Sequence, residues 1–186
     1  MQLVLVRHAR VSPEPGKPLR LWGLSEHGRR AAEALGQREA LRTVRVIASS
    51  PESKAAQTAA AFANGRPIVE VADLGELDRS AAGFIATEAE RLGLVRAILE
   101  QPDVSIRGCE AASDARNRFV RAIDGLVADN PRGGLAVVAH GTVLSLYMAH
   151  LRGLATADFE AWRRIRLPDL AVVDPIRGTV ISDFGS

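Results

Sequence analysis

Short apolar runs alternate along this chain with stretches in which apolar residues return every three or four positions. The runs at 3–6, 44–48, 68–72 and 135–139 are β-leaning and end in polar or turn residues, which predicts buried strands. Helical spacing follows each of them. Ser25, with Glu26 in the first turn, predicts a helix start, and Ala31, Ala34, Leu35 and Leu41 carry the pattern to about 41. Ser50 as N-cap and Pro51 at the first helical position predict a second helix to about 63. Thr87 with Glu90 makes a capping box for a helix to about 100, and 111–128 predicts another. An apolar helix over 143–151, a short one over 157–165 and a terminal strand pair at 170–174 and 179–182 complete the chain. Residues 9–24, with Pro13, Pro15, Gly16 and Pro18, form a connection longer than most, of the kind that serves as a binding loop or lid.

Strands alternating with helices predict an α/β fold, a three-layer sandwich with a mainly parallel central sheet and helices on both faces. With 186 residues and no linker or repeat, residues 1–186 read as a single domain. The formal net charge is only +2 and the basic residues alternate with acids, as in 26–30 and 88–96, so neither nucleic acid nor a membrane surface is expected as a partner. The lone Cys109 excludes an intrachain disulfide and reads as a small buried residue. The four apolar residues before Arg7 are too few for a signal peptide, and no run has the length of a membrane span, so the expected location is cytoplasmic. Only two of the 24 basic residues are lysines, Lys17 and Lys54, which makes a functional lysine worth examining.

Candidate chemistry collects at the strand ends. The first strand delivers Arg7 and His8, a guanidinium beside an imidazole, to the edge where ligands gather in open α/β sheets. The second ends in Ser49 and Ser50, with Lys54 one turn into the helix; Glu76 follows the third and His140 the fourth. If these strands are parallel neighbours, all of these groups meet on one rim. A metal bound by His8, His140 and Glu76 is disfavoured, because Arg7 and Lys54 would repel a cation, and no cofactor is expected.

In order along the chain, these segments resemble the histidine phosphatase superfamily, which includes cofactor-dependent phosphoglycerate mutases and many small phosphatases. Val6-Arg7-His8-Ala9 resembles its Arg-His-Gly signature, with Ala9 in place of Gly. Leu24-Ser25-Glu26-His27-Gly28 resembles Leu-Thr-Glu-x-Gly, and Ser49-Ser50-Pro51 through Ala55, Gln57, Thr58 and Ala59 resembles Ser-Ser-Pro-x-x-Arg-Ala-x-Gln-Thr-Ala. Leu74-Gly75-Glu76 resembles Leu-x-Glu, and Val138-Ala139-His140-Gly141 resembles Val-x-His-Gly. The matches run over 3–151.

The resemblance implies a metal-independent phosphatase acting on a small-molecule or protein phosphate monoester. His8 would be the nucleophile, neutral, with its tautomer set by a hydrogen bond to the other nitrogen. Arg7 would hold phosphate oxygens, and a protonated His140 would offset charge during transfer. Glu76, with a raised pKa, would protonate the leaving oxygen and then activate water. The N–H of Gly141, and those following Ser50, would add anion donors at helix starts. Lys54 stands where the family has an arginine; either it or Arg79 would supply the second phosphate-binding cation. Phosphoglycerate mutase-type transfer, or a weakly active phosphate-ligand binding module, are the alternatives. Bland readings accompany other residues: His27 exposed, His150 at a helix end, Trp22 a pocket wall or core, and Glu110 facing the site or capping the next helix.

Overall fold

The apolar run after Gln2 forms β1 (Leu3–Arg7), whose first four residues are buried on both faces, as a central parallel strand requires. A computed structural model describes residues 1–83, 85 and 87–186. The further elements are α1 (Glu26–Leu35), β2 (Val46–Ser49), α2 (Ser53–Phe62), β3 (Ile68–Glu70), α3 (Glu88–Glu100), α4 (Ala112–Asp129), β4 (Leu135–Ala139), α5 (Gly141–Leu151), α6 (Phe159–Arg164), β5 (Asp169–Asp174) and β6 (Thr179–Ser182). The sheet order is β3-β2-β4-β1-β5-β6. The first four strands in that order run parallel; β5 pairs antiparallel with both β1 and β6.

Alternation along the strands divides the core in two. Val4, Val6, Ala136 and Val138 face Leu35, Ala55, Ala59 and Phe62 of α1 and α2. Leu3, Leu5, Leu135 and Val137 face the other way, against Ile98, Phe119, Leu144 and Trp162 of α3 to α6. The sheet is thus covered on both faces, as the alternating pattern predicted. α5 is buried from Gly141 to Ala149, which explains why its sequence is apolar all round. No helix among the described residues is long and apolar enough to cross a membrane.

Some boundaries differ from the pattern. α1 ends at Leu35, and the next residue, Gly36, passes so close to α2 that a Cβ there would lie 2.8 Å from Phe62 Cβ. Residues Glu39–Leu41 form a separate 3-10 turn. α2 begins at Ser53 with Glu52 in the cap position, so Ser50 and Pro51 do not start the helix. The Ser50 hydroxyl is instead turned toward His140 Nε2 and accepts the N–H of Glu52. α5 starts two residues earlier than its apolar run, at Gly141.

The 9–24 loop is closed at its base. Val11 and Leu24 form an isolated antiparallel bridge, and Ser25 N–H donates to Arg10 O at 3.0 Å. α2 holds the loop from beneath: Ala9 N–H donates to Thr58 Oγ1, Leu24 N–H to Gln57 Oε1 and Lys54 Nζ to Leu19 O. Those contacts give a physical reason for Lys54, Gln57 and Thr58 in their segment. Ala9 is fully buried against Leu24 and Ala32, so its methyl is accommodated. Gly28 has a different constraint. A Cβ there would sit 2.0 Å from the Arg10 carbonyl oxygen. Gly28→Ala is expected to lower the unfolding free energy by about 1–3 kcal/mol, the usual cost of overpacking, measured by urea denaturation. An unchanged midpoint would show that the loop base yields freely.

Candidate active site

Because β1, β4 and β2 are parallel neighbours, their C-terminal ends lie side by side. His8 N–H donates to Ala139 O and Ser50 N–H to Val138 O, both at 3.0 Å, so each chain leaves the sheet still tied to β4. His8 and His140 consequently meet, with ring centroids 5.2 Å apart. Both are buried. His8 Nδ1 lies 2.8 Å from Ala9 O. A carbonyl only accepts, so Nδ1 carries the proton and Nε2 keeps its lone pair. Burial, then the neighbouring His140, Arg7 and Lys54, hold the His8 pKa at about 3. His140 Nε2 faces Ser50 Oγ at 2.9 Å and Glu52 Oε1 at 3.4 Å. Burial, helped by Lys54 and Arg7, brings His140 to about 3 as well. In the free site both imidazoles are therefore held in their neutral form.

Glu76 arrives from the edge strand β3 through a 3-10 turn (Ala72–Leu74) and folds back over the start of α5. Its carboxylate accepts from Leu77 N–H at 2.9 Å, Thr142 N–H at 3.2 Å and Val143 N–H at 3.3 Å. Burial alone would raise its pKa, but Arg79 at 3.9 Å, then His140, then the Leu77 and Thr142 N–H groups outweigh burial and hold it at about 2. This reverses the expected raised pKa. It also changes the expected anion donors. Thr142 and Val143 N–H are spent on Glu76, and the N–H of Glu52 on Ser50 Oγ. Gly141 N–H keeps no acceptor among the described residues.

Arg7 lies flat against that glycine; a Cβ at Gly141 would be 3.0 Å from Arg7 Cζ. One guanidinium nitrogen donates to Ile165 O, while Nε is buried without an acceptor among the described residues. His140 Nδ1 and Thr142 Oγ1, on either side of Gly141, are likewise buried and unpaired. Three polar side-chain atoms, on Arg7, His140 and Thr142, are thus buried and unpaired among the described residues. Burial draws Arg7 down to about 10, which leaves it charged at neutral pH.

Lys54 is buried, not solvated, and its ammonium bonds Leu19 O at 3.1 Å and Glu52 Oε2. Arg79 reaches the site through Glu76, so both candidate cations are present. Sequence reasoning missed Glu52. Its Oε1 accepts from Glu76 N–H at 2.8 Å, so one carboxylate joins Lys54, His140 and the Glu76 backbone. On a helix, residues two apart do not face each other, so a helical reading of 50–63 separates Glu52 from Lys54. Glu52 is extended, however, and doubles back. Sequence reasoning missed Arg118 too. It donates to the carbonyls of Asp73, Gly75 and Glu76 and pairs with Glu110, which also accepts from Asp78 N–H. Glu110 therefore neither faces the rim nor caps α4; with Arg118 it fastens the segment that carries Glu76. No local signal links positions so far apart in sequence. Trp22 is half-buried within its own loop, its indole N–H on Lys17 O, and His27 and His150 are exposed. The 77–86 segment includes Phe84 and Ala86, which lie outside the described residues.

The model of the histidine phosphatase superfamily (branch 1) matches residues 3–178, and the chain belongs to that family. Among solved structures, a mycobacterial glucosyl-3-phosphoglycerate phosphatase bound to VO3 is similar, with a TM-score of 0.77 and 23% identity over 100% of this chain and 97% of that one. A phosphoserine phosphatase from Entamoeba histolytica in complex with 3-phosphoglyceric acid has a TM-score of 0.73 and 16% identity, covering 100% and 96%. The α-ribazole phosphatase of Shigella flexneri has a TM-score of 0.72 and 17% identity, again covering 100% and 96%. At these identities the likeness establishes the fold. The curated proteins contain no match.

The shifted groups make acid sensitivity predictable. Each histidine takes up its proton at 6.5 when unfolded but only near 3 when folded, so its contribution to stability fades as pH falls from 6.5 toward 3. Glu76 acts in the same direction between 4.5 and about 2. The urea midpoint is expected to drop steadily across this range, with the His8 and His140 rings neutral in nitrogen NMR until unfolding begins. Protonation of either ring near 6.5 in the folded protein would contradict this electrostatic picture.

Proposed function

We propose that this protein is a metal-independent phosphate monoester hydrolase working through a phosphohistidine on His8. One observation carries the reading: a buried, neutral His8 donates Nδ1–H to Ala9 O, which leaves Nε2 bare beside Arg7 and His140. Arg7 and Arg79, with Gly141 N–H and Thr142 Oγ1, would hold the phosphate oxygens, and Lys54 would act as a point charge nearby. Nε2 attacks phosphorus and the bond to the ester oxygen breaks. That oxygen takes a proton from Glu76. A phosphate dianion placed beside Glu76 adds like charge, so substrate arrives with uptake of one proton onto that carboxyl, although in the free site it is ionised. A bound anion also favours protonation of His140, which then offsets charge on the equatorial oxygens. In the second half, the Glu76 carboxylate takes a proton from water as its oxygen attacks phosphorus. His8 leaves neutral and inorganic phosphate is released.

The capture of Lys54 by Glu52 favours a second reading, a phosphate-binding module of low turnover. Hydrolysis of p-nitrophenyl phosphate separates the two. Wild-type turnover that His8→Ala abolishes, with an acid-labile phosphoprotein trapped from the wild type, is the outcome expected of a hydrolase. Comparable rates in both proteins would remove His8 as nucleophile. Glu76→Gln is expected to slow alkyl esters by about 10²–10⁴-fold, the usual worth of a general acid, and p-nitrophenyl phosphate much less, since nitrophenolate leaves without a proton. Equal losses on both substrates would assign Glu76 a different role.

A further inference from the structure

Glu52 is a carboxylate set among the groups that would bind an anion, beside Lys54 and His140. We propose that it sets how firmly the site holds phosphate: by pairing with Lys54 it keeps inorganic phosphate a weak ligand, so that product leaves. The inference rests on the hydrolase reading above and adds a positioning residue to it.

Three cations act on the His140 imidazole, Lys54, Arg7 and Arg79, and they are not equally free. Arg7 spends one guanidinium nitrogen on Ile165 O, and its Nε has no acceptor among the described residues. Arg79 lies 3.9 Å from Glu76, the acid of the proposed reaction. Lys54 is the most closely paired. Its ammonium lies 2.5 Å from Glu52 Oε2 and bonds Leu19 O at 3.1 Å. An ammonium carries three hydrogens, and the third has no acceptor among the described residues. Lys54 thus has one hydrogen to spare for an anion, while Glu52 offsets its charge.

The carboxylate is not spent on α2. Glu52 occupies the cap position of that helix, but its side chain makes no cap hydrogen bond. It turns back instead, with Oε1 3.4 Å from His140 Nε2 and accepting Glu76 N–H at 2.8 Å. Both side chains of the Glu52–Lys54 pair are largely buried. A buried ion pair is a poor source of stability, because desolvation consumes most of the attraction. Its effect on an incoming anion is larger, since charges act more strongly where water is scarce. For the carboxylate that effect is repulsive. An unpaired cation at position 54 would grip substrate phosphate and product phosphate alike, which lowers KM without raising kcat. Glu52 weakens that uniform grip. It leaves the holding of phosphate to Arg7 and to Arg79, whose own carboxylate partner changes charge during the proposed reaction.

The test measures binding of inorganic phosphate by calorimetry, which needs no turnover, and its inhibition of p-nitrophenyl phosphate hydrolysis. Glu52→Gln keeps the side-chain length and an oxygen for Glu76 N–H but removes the charge. It is expected to bind phosphate about tenfold more tightly than wild type, the scale of one charge-assisted hydrogen bond. KM and the inhibition constant for phosphate are expected to fall with it. Lys54→Met is expected to weaken phosphate binding, and the double variant to show none of the gain of Glu52→Gln alone. Glu52→Ala also lacks an acceptor for Glu76 N–H, so the same tightening is expected with a lower kcat; it serves too if the glutamine variant folds poorly. Phosphate binding that is unchanged or weaker in both Glu52 variants reduces Glu52 to a fastener of the Glu76 segment and overturns the inference. A gain that survives in the double variant overturns it as well, because Lys54 is then not its source. Turnover that His8→Ala abolishes, with phosphate affinity indifferent to Glu52, leaves the hydrolase reading standing without this inference. Tighter phosphate in Glu52→Gln, with no ester hydrolysed by wild type, supports the control of binding by Glu52 while the hydrolase reading fails.

Discussion

The pairing of β1 with β4 is the contact on which the site depends. Two strands far apart in sequence run parallel in register from Leu3 opposite Leu135 to Arg7 opposite Ala139. That register delivers His8 and His140 to the same height, and a slip of one residue would put one imidazole on the opposite face. The strands are held from both sides by two apolar layers, so the register is not free to shift. Everything on the rim is placed relative to these two rings: Arg7 against Gly141, Ser50 against His140, and Glu76 across the first turn of α5.

Charge is balanced around that pair by side chains of both signs. Burial keeps the imidazoles neutral, helped by Arg7 and Lys54 at both rings and Arg79 at His140, while Glu76 pairs with Arg79 and Glu52 with Lys54. Glu76 also accepts backbone N–H groups, which favour its ionised form, and Glu52 accepts the Glu76 N–H. In the proposed reaction, a dianionic phosphate entering this arrangement would change the preferred protonation of Glu76 and His140 together.

Much of this was legible in the sequence for a physical reason. Apolar runs mark the strands because a sheet covered on both faces has no room for polar side chains, and the groups just beyond those runs, Arg7, His8, Ser50 and His140, are where a parallel sheet presents its ligand-binding edge. Helix boundaries near the site were less legible. Ser50 has the chemistry of an N-cap, but its hydroxyl serves His140, and the helix begins only after Glu52 has turned inward. Arg118 was missed and Glu110 misread because their role is tertiary. They grip a loop through its carbonyls, and carbonyls leave no trace in residue identity. The protonation states of Glu76 and His140 followed from neighbours that only the folded chain assembles.

Lys54 joins two properties that are usually separate. Its ammonium is shared between Glu52, inside the site, and the Leu19 carbonyl on the 9–24 loop. The loop cannot lift from α2 without costing a buried cation one of its acceptors, and Glu52 cannot turn elsewhere without leaving that cation to the loop alone. The grip of the loop and the electrical potential of the pocket are therefore a single variable, set by how one lysine divides its three hydrogens.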